Sequence, residues 1–163
     1  MEDRIVVIDF GTGMVKAGTH DMNMPLLHFH NRIVSYETQW IENEKYSERQ
    51  PTSYAYPLIE ARIDDWQDVE KVWTHIFKRL EVNPQEIKGV MITENAIANA
   101  GQNKEELATL LFENFEVNNV FLADPASLSL YSAGKLSGLV FDSGEGVTRI
   151  APVFQGFVVP HAI

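Results

Sequence analysis

The order of apolar and polar positions along the chain predicts a β-meander at its start. Residues 4–9 (RIVVID) are β-branched and end on a carboxylate, and residues 10–13 (FGTG) follow as a tight turn. Residues 14–19 offer a second strand, and residues 26–34 a third. Residues 35–55 are polar with few aliphatic side chains, so we expect a short exposed insertion there.

The middle of the chain alternates predicted helices with predicted strands. Asp64 and Asp65 supply an N-cap and negative charge at the start of one helix. Its apolar residues recur at spacings of three and four and form one buried face: Trp66, Val69, Val72, Trp73, Ile76, Phe77 and Leu80. Strands at 88–93 and 120–123 follow, the second leading into a helix that starts at Pro125. A meander followed by β-α-β units predicts an α/β fold with a mixed sheet.

The end of the chain restates its beginning. Residues 139–149 (LVFDSGEGVTR) repeat the pattern of residues 6–16 (VVIDFGTGMVK): strand, carboxylate, two glycines, apolar residue and base. An internal repeat of this kind indicates a second copy of one structural unit. We therefore predict a first domain over 1–137 and the opening β-meander of an incomplete second domain over 138–163.

Composition narrows the class of protein. The chain has 163 residues, enough for one domain and too few for two full α/β domains. Its net charge of −10 argues against nucleic acid and against an anionic membrane surface as partners. It has no cysteine, which excludes disulfides and thiolate chemistry. No apolar run approaches the roughly 20 residues that span a bilayer, and no secretory signal is visible, so we expect a cytoplasmic protein.

The repeated Asp-x-Gly-x-Gly motif carries the candidate chemistry. Glycine lets a backbone approach a phosphate closely, and a neighbouring aspartate can hold Mg²⁺ through water. A single copy is most simply an ordinary hairpin turn. Two copies at equivalent positions favour a pair of facing hairpins that holds a polyphosphate and its metal.

Further segments resemble landmarks of actin and actin-related proteins, in the order in which those proteins carry them. They are 7–18 (VIDFGTGMVKAG), 65–73 (DWQDVEKVW), 112–117 (FENFEV), 128–134 (LSLYSAG), 142–148 (DSGEGVT) and 160–163 (PHAI). The resemblance covers almost the whole chain. It implies the actin-like ATPase fold, which is ribonuclease H-like, with a truncated second domain.

The resemblance also implies a site for ATP or ADP with Mg²⁺ between two domains. The first phosphate loop would comprise Asp9, Gly11, Thr12, Gly13, Met14 and Lys16. The second would comprise Asp142, Gly144, Glu145, Gly146 and Val147. Asp9 and Asp142 would hold the metal through water.

Three departures from the family pattern bear on activity. Pro125 stands where actins have the glutamine that positions the attacking water, and proline has no side-chain donor or acceptor. Arg149 replaces a histidine, and Glu145 replaces an aspartate. The insertion is also shorter than in actins, so we expect the loop that docks into a neighbouring filament subunit to be missing. We therefore name no catalytic residue and expect no ATP hydrolysis.

These observations lead us to expect a non-catalytic actin-related subunit of a larger cytoskeletal assembly. A protein partner, such as actin or another cytoskeletal or axonemal protein, would cover the apolar sheet at 138–163. Its contacts would be Tyr131, Gly134, Leu139, Phe141, Ile150, Phe154, Phe157 and Val159. We expect a cytoplasmic, cytoskeletal location, with the cilium as a specific candidate. Three alternatives stay open: a nucleotide-binding ATPase, a regulator that caps actin filaments, and an incomplete piece of a longer actin-related protein.

Overall fold

The computed structural model describes residues 3–35, 53–93 and 101–163, with the backbone alone at residues 35 and 101–103. The strands are β1 (Ile5–Phe10), β2 (Met14–Thr19), β3 (Leu27–His30), β4 (Ile33–Ser35), β5 (Ser53–Ala55), β6 (Leu58–Ile59), β7 (Arg62–Ile63), β8 (Gly89–Thr93), β9 (Val120–Ala123), β10 (Gly138–Ser143), β11 (Thr148–Phe154) and β12 (Phe157–Val158). The α-helices are α1 (Trp66–Arg79), α2 (Gly101–Thr109) and α3 (Pro125–Ser132).

The larger sheet has five strands in the order β3-β2-β1-β8-β9. The meander β1-β2-β3 is antiparallel, whereas β8 lies parallel to both β1 and β9. Parallel neighbours need crossover connections, and α1 provides the one between the meander and β8. This topology confirms the predicted α/β fold with a mixed sheet.

Helix α1 packs its apolar stripe on one face of this sheet. Its N-cap is Asp65, whose Oδ1 accepts hydrogen bonds from the backbone N–H groups of Gln67 (2.7 Å) and Asp68 (3.3 Å). Trp73 lies at the centre of the main core and is fully buried. The remaining buried residues of the helix follow the predicted spacing: Val69, Val72, Ile76 and Phe77. The predicted start and the predicted buried face of this helix are therefore confirmed.

The predicted third strand at 26–34 is wrong in one respect, because the structure divides it into β3 and β4. Asn31 lies at the break and is buried. Its backbone N–H donates to the Gly13 carbonyl (2.9 Å), and its Nδ2 donates to the Gly11 carbonyl (2.8 Å). Because Asn31 makes these bonds to the first hairpin, it does not continue the hydrogen-bond ladder between β2 and β3. Strand β4 pairs with β5, so the two ends of the predicted insertion meet, while residues 36–52 lie outside the described part.

The smaller sheet, β10-β11-β12, is an antiparallel meander built on the second copy of the repeat. In the strand register, Asp142 lies opposite Arg149, as Asp9 lies opposite Lys16 in the first copy. The turns also correspond: Gly11 N–H donates to the carbonyl of Met14 (3.2 Å) and Gly144 N–H to that of Val147 (3.0 Å). The two hairpins are equivalent in structure. The division into domains at residue 138 stays a prediction.

Helix α3 covers one face of the smaller sheet, for which the sequence led us to expect a protein partner as the cover. Ala126 and Leu130 of α3 pack against Ala151 and Val153 of β11, and all four side chains are buried. The helix can reach the sheet because its chain turns back at Gly134, where φ is +68°, a left-handed conformation that glycine adopts readily. Only the opposite face of this sheet presents its apolar side chains to solvent.

Among the residues that the structure describes, no helix is both long enough and apolar enough to cross a membrane.

Candidate functional site

The first hairpin places Asp9 and Lys16 side by side. They are cross-strand neighbours on β1 and β2, and Lys16 Nζ lies 3.0 Å from Asp9 Oδ2. The other carboxylate oxygen, Asp9 Oδ1, accepts a hydrogen bond from the Thr93 hydroxyl at 3.0 Å. Both oxygens of Asp9 are therefore engaged by protein donors.

Three residues that the sequence analysis missed hold the first hairpin in place. Thr93, at the end of β8, binds Asp9, and Asn31 binds the Gly11 carbonyl. The backbone N–H of Ala61 donates to the Thr12 hydroxyl at 3.1 Å. A polar residue at the end of an otherwise buried strand is a signal that could have pointed to Thr93. Asn31 and Ala61 act across long sequence separations, and their local sequence gives no such signal.

The second hairpin carries its polar groups closer to solvent. Asp142 and Glu145 are both exposed. Arg149 does not pair with its cross-strand neighbour Asp142, although Lys16 does pair with Asp9 in the equivalent position. Instead, Arg149 Nη2 lies 2.9 Å from Oδ2 of Asp124, just before α3. The two members of this ion pair are mostly buried, with side chains 18% and 21% exposed.

The tips of the two hairpins lie against each other. A Cβ added to Gly13 would overlap Oε2 of Glu145 and lie 2.8 Å from its Cδ. A Cβ added to Gly146 would lie 2.5 Å from the Thr12 hydroxyl oxygen and 2.9 Å from the Ala61 backbone nitrogen. The structure therefore brings Thr12, Gly13, Glu145 and Gly146 together. Met14 and Val147 close the two turns through their carbonyl groups.

A groove of about 920 Å³ lies beside the second hairpin. The Asp124–Arg149 ion pair lies in its wall, between β9 and β11. Tyr131 of α3 also lines the groove and donates its hydroxyl to the Gly156 carbonyl at 3.3 Å. Apolar residues complete much of the lining: Phe121, Leu128, Val147, Phe157, Val158, Pro160 and Ile163.

Comparison with known families shows where this arrangement belongs. The family model described as Actin matches residues 1–163, which is the whole chain. The chain belongs to the actin family. In actin-family folds the site usually binds a nucleotide with Mg²⁺, whose phosphates would lie between the two hairpins.

In the arrangement described, the hairpins of this actin-family chain do not fit a polyphosphate. The space facing Gly13 holds the Glu145 carboxylate, and the space facing Gly146 holds the Thr12 hydroxyl. Lys16, which was expected to bind the phosphates, forms an ion pair with Asp9. Within the described ranges, no cluster of three or more histidine, aspartate or glutamate residues is arranged to hold a metal ion. A polyphosphate could enter only if these side chains moved.

The two family departures at the expected water position lie close together in the actin-family chain. Pro125 is the first residue of α3, and Asp124 caps the helix by accepting a hydrogen bond from the Ala126 N–H at 2.8 Å. The same Asp124 binds Arg149. The carboxylate and the guanidinium thus satisfy each other beside a proline that has no polar side chain. The roles assigned to the individual site residues stay predictions.

The expected partner contacts fall mainly on the outer face of the smaller sheet, which we define by Leu139, Phe141, Ile150, Phe154 and Phe157. Their exposed fractions range from 48% to 78%. Tyr131 is also exposed and lies at the groove, and Gly134 is an exposed residue at the end of α3. Val159 differs, because it follows β12 and is only half-buried. Its backbone N–H donates to the Pro152 carbonyl at 2.9 Å, so it belongs to the rim rather than to the outer face.

Proposed function

We propose that this actin-family protein is a non-catalytic structural subunit of a larger cytoskeletal assembly, and that a separate protein subunit covers its outer face. The observation that carries the proposal is the continuity of this face. Phe141 lies directly opposite Ile150, and Phe154 directly opposite Phe157, so the apolar side chains adjoin across all three strands. Contiguous exposed apolar patches of this kind mark interaction sites.

The internal repeat suggests what the partner contributes. Strand β10 is equivalent to β1, and β1 carries β8 in parallel on the edge that β2 does not use. The corresponding edge of β10 has no paired strand among the described residues. We infer that the partner adds a parallel strand there and covers the outer face with apolar side chains. The chain's net charge of −10 favours a partner segment that is basic.

The absence of catalysis is the second part of the proposal. A protein contributes to phosphoryl transfer chiefly by positioning the nucleophile and stabilising charge. Pro125 cannot position water through a side chain, and Arg149 is engaged by Asp124. Family membership supports a cytoskeletal location. A cilium is the more specific location that we propose for a stable, non-hydrolysing subunit.

Site-specific photo-cross-linking tests the partner proposal. A photoreactive phenylalanine analogue at position 141 reports on the outer face, and the same analogue at position 112 is the control, because Phe112 is also exposed but lies outside that face. In cells that make the protein, we expect residue 141, and not residue 112, to cross-link to one basic protein at a segment of alternating apolar residues. Cross-links confined to further sequence of the same polypeptide, or equal yields at both positions, would contradict a separate subunit.

A nucleotide-dependent ATPase is the second candidate, and the equivalence of the two hairpins favours it. Two Asp-x-Gly-x-Gly turns that face each other offer backbone N–H groups to a polyphosphate once the side chains between them have moved. Micromolar binding of Mg-ATP by calorimetry, together with phosphate release above the buffer rate, would favour this candidate over the non-catalytic proposal.

A further inference from the structure

The contact between Glu145 and Gly13 is the feature of the cleft that the family pattern does not explain. Three Glu145 atoms approach the position that a Gly13 side chain would take: Oε2 would overlap it, Cδ would be 2.8 Å away and Cβ 3.1 Å away. The glutamate side chain therefore lies beside Gly13 of the first hairpin, although part of it is exposed to solvent. Glycine at position 13 is what makes this close approach sterically feasible.

The reciprocal contact holds the second hairpin at the same junction. Gly146 lies against Thr12, and the Thr12 hydroxyl is fixed by the Ala61 N–H at 3.1 Å. Each hairpin thus places a side chain on the glycine of the other hairpin. Together the two contacts occupy the positions next to both glycines.

The charge of the inserted group matters as much as its volume. A carboxylate and a phosphate are both anions that accept hydrogen bonds, so they compete for the same space beside a glycine turn. A phosphate that approached Gly13 would meet a like charge within a few ångströms, which disfavours its binding. The basic residues of the two hairpins are each paired with a carboxylate, Lys16 with Asp9 and Arg149 with Asp124.

We propose that Glu145 is an internal competitor for polyphosphate: its carboxylate closes the junction between the two hairpins, and a polyphosphate binds only by displacing it. Glu145 thereby sets the affinity of the cleft for any phosphate chain, whether inorganic or part of a nucleotide.

Binding measurements on the full chain test the proposal with two ligands, Mg-ATP and inorganic tripolyphosphate. We compare the wild-type protein with Glu145→Ala, which removes the carboxylate from the junction, and with Glu145→Gln, which keeps the volume and removes the charge. Glu105→Ala is the control, because Glu105 is an exposed glutamate on α2. We expect Glu145→Ala to bind both ligands at least about tenfold tighter than wild type, with Glu145→Gln between them and the control unchanged.

Equal or weaker binding by Glu145→Ala would overturn the proposal, and so would binding that is undetectable in every variant. A gain confined to Mg-ATP would also overturn it, because the base or sugar would then be the source of the gain. Binding of tripolyphosphate separates these cases, since this ligand has only the phosphate chain in common with ATP.

Thermal unfolding gives a readout that needs no ligand. Gly13→Ala introduces a Cβ that overlaps the Glu145 carboxylate in the wild-type protein, whereas in the Glu145→Ala background the nearest atom of residue 145 is its retained Cβ, 3.1 Å away. We expect Gly13→Ala to lower the melting temperature clearly more in the first background than in the second. Equal losses in both backgrounds would show that Glu145 does not occupy the junction in solution.

Discussion

Lys16 and Arg149 occupy equivalent positions in the two hairpins, yet they take different partners. Lys16 binds its cross-strand neighbour Asp9, and both side chains are more than a third exposed. Arg149 reaches instead to Asp124, where the two side chains are about one-fifth exposed. Exposed ion pairs contribute little stability because water screens them. Breaking a less exposed pair is more damaging, since it leaves a poorly solvated charge without its partner.

A double-mutant cycle measures what the Asp124–Arg149 pair contributes. Asp124→Asn removes the charge and keeps a residue that can cap α3, and Arg149→Gln removes the other charge. We expect a coupling energy of about 0.5–3 kcal/mol from urea unfolding. The pair Lys88–Asp3, whose side chains are 58% and 96% exposed, is the exposed control, for which we expect about 0–1 kcal/mol. Equal coupling in the two cycles would mean that Asp124–Arg149 behaves as an ordinary surface pair.

Among the elements, helix α1 illustrates local control of structure by the sequence. Its start is fixed by one side chain, because Asp65 Oδ1 accepts two of the N–H groups that an α-helix leaves without partners at its beginning. Its orientation is fixed by an apolar stripe whose spacing matches the helical period. Both signals are contained within a single stretch of sequence.

Removing the cap of α1 should therefore destabilise the protein measurably. We expect Asp65→Ala to lower the free energy of unfolding by about 0.5–2 kcal/mol, and Asp65→Asn to restore most of the loss. Asp64→Ala removes the same charge one residue earlier, where the side chain caps nothing among the described hydrogen bonds, so its effect should be smaller. Urea unfolding measures these free energies. Equal decreases for Asp64→Ala and Asp65→Ala would show that the charge of Asp65, rather than its cap hydrogen bonds, stabilises the helix.

At the scale of the whole molecule, one face of the smaller sheet contributes to fold stability and the other is available for association with partners. Residues on β11 alternate, so that Ala151 and Val153 pack on α3 while Ile150 and Phe154 point to solvent. The inner face therefore stabilises the fold, and the outer face is available for association. The same five apolar side chains that would bind a partner also present a risk of aggregation when the partner is missing.

Charged substitutions separate these two roles. We expect Phe141→Lys and Phe157→Lys to reduce concentration-dependent association of the purified chain while leaving its unfolding midpoint almost unchanged, since both side chains are largely exposed. Val153→Lys should instead unfold the protein or destabilise it by several kcal/mol, because it buries a charge against α3. Sedimentation velocity over a concentration series reports association. Unchanged association in both outer-face variants would contradict the assignment of this face.

Much of the fold could be predicted from local patterns. The β1 and β2 strands, the cap and buried face of α1, the parallel strands β8 and β9, and the repeated hairpin all follow from period, capping and turn chemistry within short windows. The prediction was wrong where a residue far away decides the outcome. The strand at 26–34 breaks because Asn31 binds carbonyl groups of a hairpin formed by residues 11–13.

In the candidate site, too, some features follow from the local sequence and others from tertiary contacts. The sequence by itself determined that this chain has two equivalent glycine hairpins, each with a carboxylate and a base at fixed offsets, because turn geometry depends on adjacent residues. Only the tertiary structure decided that Arg149 pairs with Asp124, that Glu145 lies on Gly13 and that α3 covers one face of the smaller sheet. These contacts join residues far apart in the chain, and a side chain's partner is chosen by which elements pack together rather than by its neighbours in sequence.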